Sequence, residues 1–137
     1  MVIEEHYLLS AGAEIIEYMP QEFIIHEGNL SSYYYQIIEG QIKLNNITED
    51  GKEFIHNILS EGQCFGDNVL FLKQPYPMNA VALTACKIMK VCKQNFFAML
   101  DVYPKLYQNL CLAMSHRVCC TLTMPHQYSA VTPSTDY

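Results

Sequence analysis

Arginine is almost missing from this chain. Arg117 is the only one, and the other seven cations are lysines. Any contact that needs a planar guanidinium fork therefore uses Arg117 or goes without. Charge is sparse altogether: 16% of the residues are Asp, Glu, Lys or Arg, and the balance is −6. So few cations supply no large phosphate-binding footprint, and this segment alone is not expected to bind nucleic acid. Long hydrophobic runs are missing as well. The longest, Phe96 to Leu100 and Leu110 to Met114, fall far short of a bilayer span. The first twenty residues hold four glutamates and neither Lys nor Arg, so no secretory or mitochondrial leader is expected and the chain reads as cytoplasmic.

Metal-ligand spacing is equally scarce. There is no C-x-x-C, and no two of the five histidines (His6, His26, His56, His116, His126) lie within five residues of each other. Structural zinc and strand-borne metal sites need such clusters, so no metal and no metal enzyme is expected. No Ser–His–Asp set can be argued from the spacing either, and the chain reads as non-enzymatic. The six cysteines, Cys64, Cys86, Cys92, Cys111, Cys119 and Cys120, mostly have apolar neighbours. They are expected to be reduced and mostly buried, with the adjacent Cys119 and Cys120 as the exception that would support a redox role.

What is present is a core and a turn rhythm. Half of the 137 residues are hydrophobic, enough for one packed domain. Gly28, Gly40, Gly51 and Gly62 are spaced by 12, 11 and 11 residues, and each follows an acidic residue. Short Ile-, Tyr-, Phe- and Leu-rich runs lie between them. Strands with turn signals at this interval predict a sandwich or barrel. The expected strands are Glu14–Tyr18, Glu22–His26, Tyr33–Glu39, Gln41–Ile47, Glu53–Ser60, Met78–Thr84 and Lys87–Val91. Alternation along the tyrosine run puts Tyr33 and Tyr35 on one face of a strand and Tyr34 on the other.

Helices are expected at Ile3–Ser10, at Lys93–Leu100, and from Lys105 to about Thr123, where Pro125 stops the last one. A polar tail follows, 124–137. The long helix carries two apolar stripes. One is Leu106, Leu110, Ala113, Cys120 and Met124, and the other is Tyr107, Cys111, Met114, Val118 and Leu122. A surface helix buries one stripe, so two stripes imply two partners. A homodimer is expected through this helix (about 104–123), with Leu106, Leu110, Ala113 and Cys120 at the seam.

The segment Phe65-Gly66-Asp67-Asn68-Val69-Leu70-Phe71, with the loop through Pro75 and Pro77 to Met78-Asn79-Ala80, resembles the phosphate-binding cassette of cyclic nucleotide-binding domains in the Crp/Fnr superfamily. The turns at Glu27-Gly28, Glu39-Gly40, Asp50-Gly51 and Glu61-Gly62 stand in that family's order, and the resemblance covers about residues 10–122. It implies an antiparallel β-roll (jelly roll, double-stranded β-helix) of about eight strands with flanking helices. It also implies a ligand-sensing role related to transcription regulation, with a cyclic nucleotide as effector.

The pocket implied by the resemblance comprises Gly66, Asp67, Asn68, Val69, Met78, Asn79 and Ala80. Two departures bear on it. The family has Glu where Asp67 stands. Met78 occupies the place of its phosphate-binding Arg and Asn79 that of its Ser or Thr. Lys73 and Arg117 are the remaining candidates to meet an anion. Cyclic-nucleotide binding is therefore expected to be weak or lost. The alternatives are a structural dimerisation module with a vestigial pocket, or a thiol redox sensor. No segment before residue 137 reads as a DNA-recognition helix with a basic face.

Overall fold

The computed structural model describes residues 1–30 and 32–123. Its elements run α1 (Glu5–Ser10), β1 (Glu14–Tyr18), β2 (Phe23–Ile25), β3 (Tyr33–Glu39), β4 (Ile42–Ile47), β5 (Glu53–Leu59), β6 (Cys64–Phe65), α2 (Asp67–Leu72), β7 (Asn79–Ala82), β8 (Cys86–Cys92), α3 (Lys93–Val102) and α4 (Leu106–Thr123). The strands form two four-stranded antiparallel sheets, ordered β1-β8-β3-β6 and β2-β7-β4-β5. This is the expected mainly-β roll with flanking helices. Strands β1 and β3 have the expected bounds, and the other expected strands differ at their ends by one or two residues. Two elements were not foreseen as such: the two-residue β6 and the six-residue α2. Both are too short to show a hydrophobic period.

Two cores flank the first sheet. Between the sheets lie Ile25, Tyr35, Ile37, Ile42, Leu59, Phe65, Val69, Tyr76, Ala80 and Ile88, all buried. On the other side, under the helices, lie Ile3, Leu8, Tyr34, Leu70, Met89, Val91, Phe96 and Leu100. Strand β3 feeds both by alternation. Tyr34 stacks on Phe96 at 4.3 Å, while Tyr35 stacks on Phe65 at 5.0 Å from the opposite face. Gly40 closes the β3–β4 turn at φ +95°, where an added Cβ would stand 2.5 Å from the Ala85 carbonyl oxygen. Only glycine meets both demands.

The helical core corrects the expected dimer seam. Leu106 and Leu110 are 1% and 2% exposed, packed with Phe96 and Leu100 of their own domain, and Ala113 lies partly buried against the same cluster. Three of the four seam residues thus hold α4 on its own chain. The side chain of Cys120 and the tail 124–137 lie outside the described residues. The other stripe remains open: Tyr107 is 38% and Val118 57% exposed. Thiol burial is also less general than expected. Cys64 and Cys86 are buried, Cys92 is intermediate, and Cys111 and Cys119 are exposed.

Candidate ligand-binding site

A cavity of about 510 Å³ opens between the second sheet, the β6–α2 turn and α4. Ile25, Leu44, His56 and Asn57 line it from strands, Phe65, Gly66, Asn68 and Val69 from the turn, and Tyr76, Pro77, Met78 and Ala80 from the stretch into β7. Met114, Arg117 and Val118 close it from α4. The volume suits a small molecule.

Gly66 is the pivot. It precedes α2 at φ +79°, and a Cβ there would come within 3.3 Å of Tyr76 and 3.4 Å of Tyr35. The backbone can turn from β6 into α2 this close to two rings because no side chain is present. Asp67, the first residue of α2, is 0% exposed. Its Oδ2 accepts a hydrogen bond from Arg117 Nη2 at 2.7 Å, and the pair is an ion pair. Burial works against the guanidinium's charge, but the Asp67 carboxylate outweighs it and the Arg117 pKa is raised. Asp67 Oδ1 is buried and accepts no hydrogen bond among the described residues. Burial, and then the Asp67 charge, push the neighbouring Cys64 thiol up. Tyr34 is pushed well up chiefly by burial.

The expected pocket residues divide into two groups. Gly66, Asn68, Val69, Met78 and Ala80 line the cavity. Asp67 lies behind that wall, held by Arg117. Asn79 is buried and turned elsewhere: its Oδ1 accepts the Glu27 backbone N–H at 2.7 Å. Asn68 Oδ1 accepts the N–H of Val69 at 3.0 Å, so one amide of the short helix is already engaged. Of the two candidate cations, Arg117 reaches the cavity, paired with Asp67. Lys73 is exposed at the far end of α2 and is not among the lining residues. Phe71 does not fill the cavity but packs against Phe97 at 5.3 Å and Phe96 at 6.4 Å.

His56 and Asn57 were missed, because β5 carries no cassette residue. His56 has a neighbour that defines its state. Asn46 Nδ2 donates to Glu27 Oε1 at 3.0 Å and to the Pro77 carbonyl at 2.8 Å. That orients the amide so that its Oδ1 faces His56 Nε2 at 2.6 Å, and Nε2 carries the proton. Nδ1 of the neutral ring is then an acceptor. His56 is partly desolvated, which lowers its pKa and favours the neutral ring.

A family model for the cyclic nucleotide-binding domain matches residues 15–103. The chain belongs to that family. Among curated proteins it is 28% identical over 105 residues to the "cAMP-activated global transcriptional regulator CRP" of Shigella flexneri, covering 76% of this chain and 50% of that protein. It is 27% identical over 86 residues to the "Potassium channel SKOR" of Arabidopsis thaliana, covering 63% of this chain and 10% of the channel. Among solved structures, the "c-di-GMP Responsive Global Regulator CLP" of Xanthomonas campestris superposes with a TM-score of 0.77 at 14% identity, covering 87% of this chain and 61% of that one. The chain spans about half the length of the CRP relative. The family ligand is an anion, and the residues here fit it poorly. The Gly66 turn is present, Met78 adds a thioether to the wall, and the one guanidinium at the cavity already has a carboxylate partner. No described helix is long and apolar enough to cross a membrane, and no group of three metal-ligating side chains occurs among the described residues.

Proposed function

We infer that this chain is the non-enzymatic, cytoplasmic sensor domain of a Crp/Fnr-type regulator, and that its cavity holds a small effector but binds cyclic AMP and cyclic GMP weakly. The observation that carries this is Met78 in the cavity wall, at the position that the sequence resemblance assigns to the family's arginine. A cyclic phosphate keeps a full charge at neutral pH. Leaving a buried charge without its partner costs about 3–5 kcal/mol. At 1.4 kcal/mol per factor of ten, that is a loss on the order of a hundred- to several-thousand-fold in affinity. Arg117 does not repair it, because diverting the guanidinium to a ligand strands the buried Asp67 carboxylate.

The CRP relative is named as a cAMP-activated transcriptional regulator, and control of transcription is the proposed role of the whole protein. Its dimer forms through the exposed stripe of α4 (Tyr107, Cys111, Val118), since the Leu106 and Leu110 stripe is committed to the core. The same helix closes the cavity with Met114 and Val118, so an effector and a partner subunit would act on one element. Titration calorimetry with both cyclic nucleotides tests the reading. The wild type is expected to show affinities weaker than micromolar, with a gain in Met78→Arg. Micromolar binding by the wild type would overturn it.

A further inference from the structure

The cavity's chemistry defines what it does accept, and the inference rests on the sensor reading above. Its walls are mostly carbon: Met78, Met114, Val118, Phe65 and Leu44 meet around it. Apolar lining with few polar groups recognises ligands mainly by burial of their carbon surface. The only arginine is neutralised by Asp67. Among the described residues, an anion finds no unpaired cation in this wall, and a cation finds no open carboxylate, because Asp67 lies behind Arg117. Of the polar side chains in the wall, Asn57 and Asn68 each turn Oδ1 to a backbone N–H, of Ile58 and of Val69, and His56 is left as the side-chain acceptor. His56 lines the cavity, and its proton is fixed on Nε2 by Asn46, which leaves Nδ1 able to accept.

We propose that the cavity binds an uncharged, predominantly apolar small molecule that carries a single hydroxyl or amide donor, its carbon skeleton held between Met78 and the Met114–Val118 face of α4 and its donor directed to His56 Nδ1. Occupancy then adds apolar contact between the β-roll and α4, so the ligand bears directly on the helix that carries the exposed stripe.

Three probes of one skeleton isolate the terms: 2-naphthol (neutral, one donor), 2-methylnaphthalene (neutral, no donor) and 2-naphthyl phosphate (anionic). Calorimetry gives affinities, and spectra of the methyl-labelled methionines locate the site, because Met78 and Met114 border the cavity. The expected result is 2-naphthol binding with shifts at Met78 and Met114, and 2-naphthyl phosphate at least about tenfold weaker. His56→Leu should lose about tenfold for 2-naphthol and nothing for 2-methylnaphthalene. Met78→Arg should shift the preference towards the phosphate. Tighter binding of 2-naphthyl phosphate by the wild type, shifts confined to other methionines, or no binding of any probe at millimolar concentration overturns the proposal. The sensor reading fails separately, by micromolar binding of a cyclic nucleotide.

Discussion

Arg117 and Asp67 stand fifty positions apart in the chain and meet at 2.7 Å, the carboxylate fully buried and the guanidinium 16% exposed. This pair ties α4 to the turn that starts α2, and it sets the charge of the cavity to which α4 contributes. A charge inside the fold is tolerable when its partner is fixed, and here the partner is the chain's only arginine.

Breaking the pair from the arginine side leaves the buried carboxylate alone. Arg117→Met is expected to cost about 3–5 kcal/mol of stability. Asp67→Asn combined with Arg117→Met removes both charges and should recover much of that. Urea denaturation of the single and double variants measures it. A single variant within about 0.5 kcal/mol of the wild type, the range of an ordinary surface change, would show that the pair contributes nothing.

The two stripes of α4 should separate by experiment. Leu110→Ala removes a side chain from the helical core and is expected to cost about 2–5 kcal/mol. Val118→Glu changes an exposed side chain, so its effect on stability should be within about 0.5 kcal/mol while it weakens association. Denaturation and sedimentation velocity on both variants decide it. A wild type that stays monomeric at high concentration would remove the dimer proposal.

Thiol chemistry should follow burial. Cys64 is buried with its pKa pushed up, and Cys86 is buried too, so both should resist labelling in the native protein. Cys111 and Cys119 are exposed and should react first. Mass spectrometry of a timed iodoacetamide reaction gives the order. Early labelling of Cys64 would contradict the packing of the Tyr34 cluster.

A small acid sensitivity is expected from β5. Glu53 is held below the usual carboxylate range by its bonds to Lys43 Nζ at 2.6 Å and to Asn45 Nδ2 at 2.5 Å. Its folded pKa lies below the unfolded value of about 4.3. The stabilisation is therefore present in full above pH ~4.3 and is lost as the pH falls through the folded pKa. Because Glu53 is partly exposed, the effect should be a few tenths of a kcal/mol. Thermal melts of wild type and Glu53→Gln at neutral and acid pH check it: the difference between them should shrink in acid.

Much of the fold was legible in local chemistry. Glycines at the acidic turns carry positive φ wherever they were read as turns, and alternation along Tyr33, Tyr34 and Tyr35 placed their rings on opposite faces of β3. The cassette turn was legible because Gly66 needs a conformation and a clearance that only glycine meets. The count of one arginine already limited the cavity to a single possible guanidinium, Arg117. Tertiary structure decided the rest. Two stripes of similar apolarity run along α4, and nothing local says which is buried; Ile3, Leu70 and Phe96, from three distant segments, select Leu106 and Leu110. The Asp67–Arg117 pair and the orientation of His56 likewise depend on residues that only folding brings together. Periodicity reports what a segment can bury, whereas contact across the fold determines what it meets.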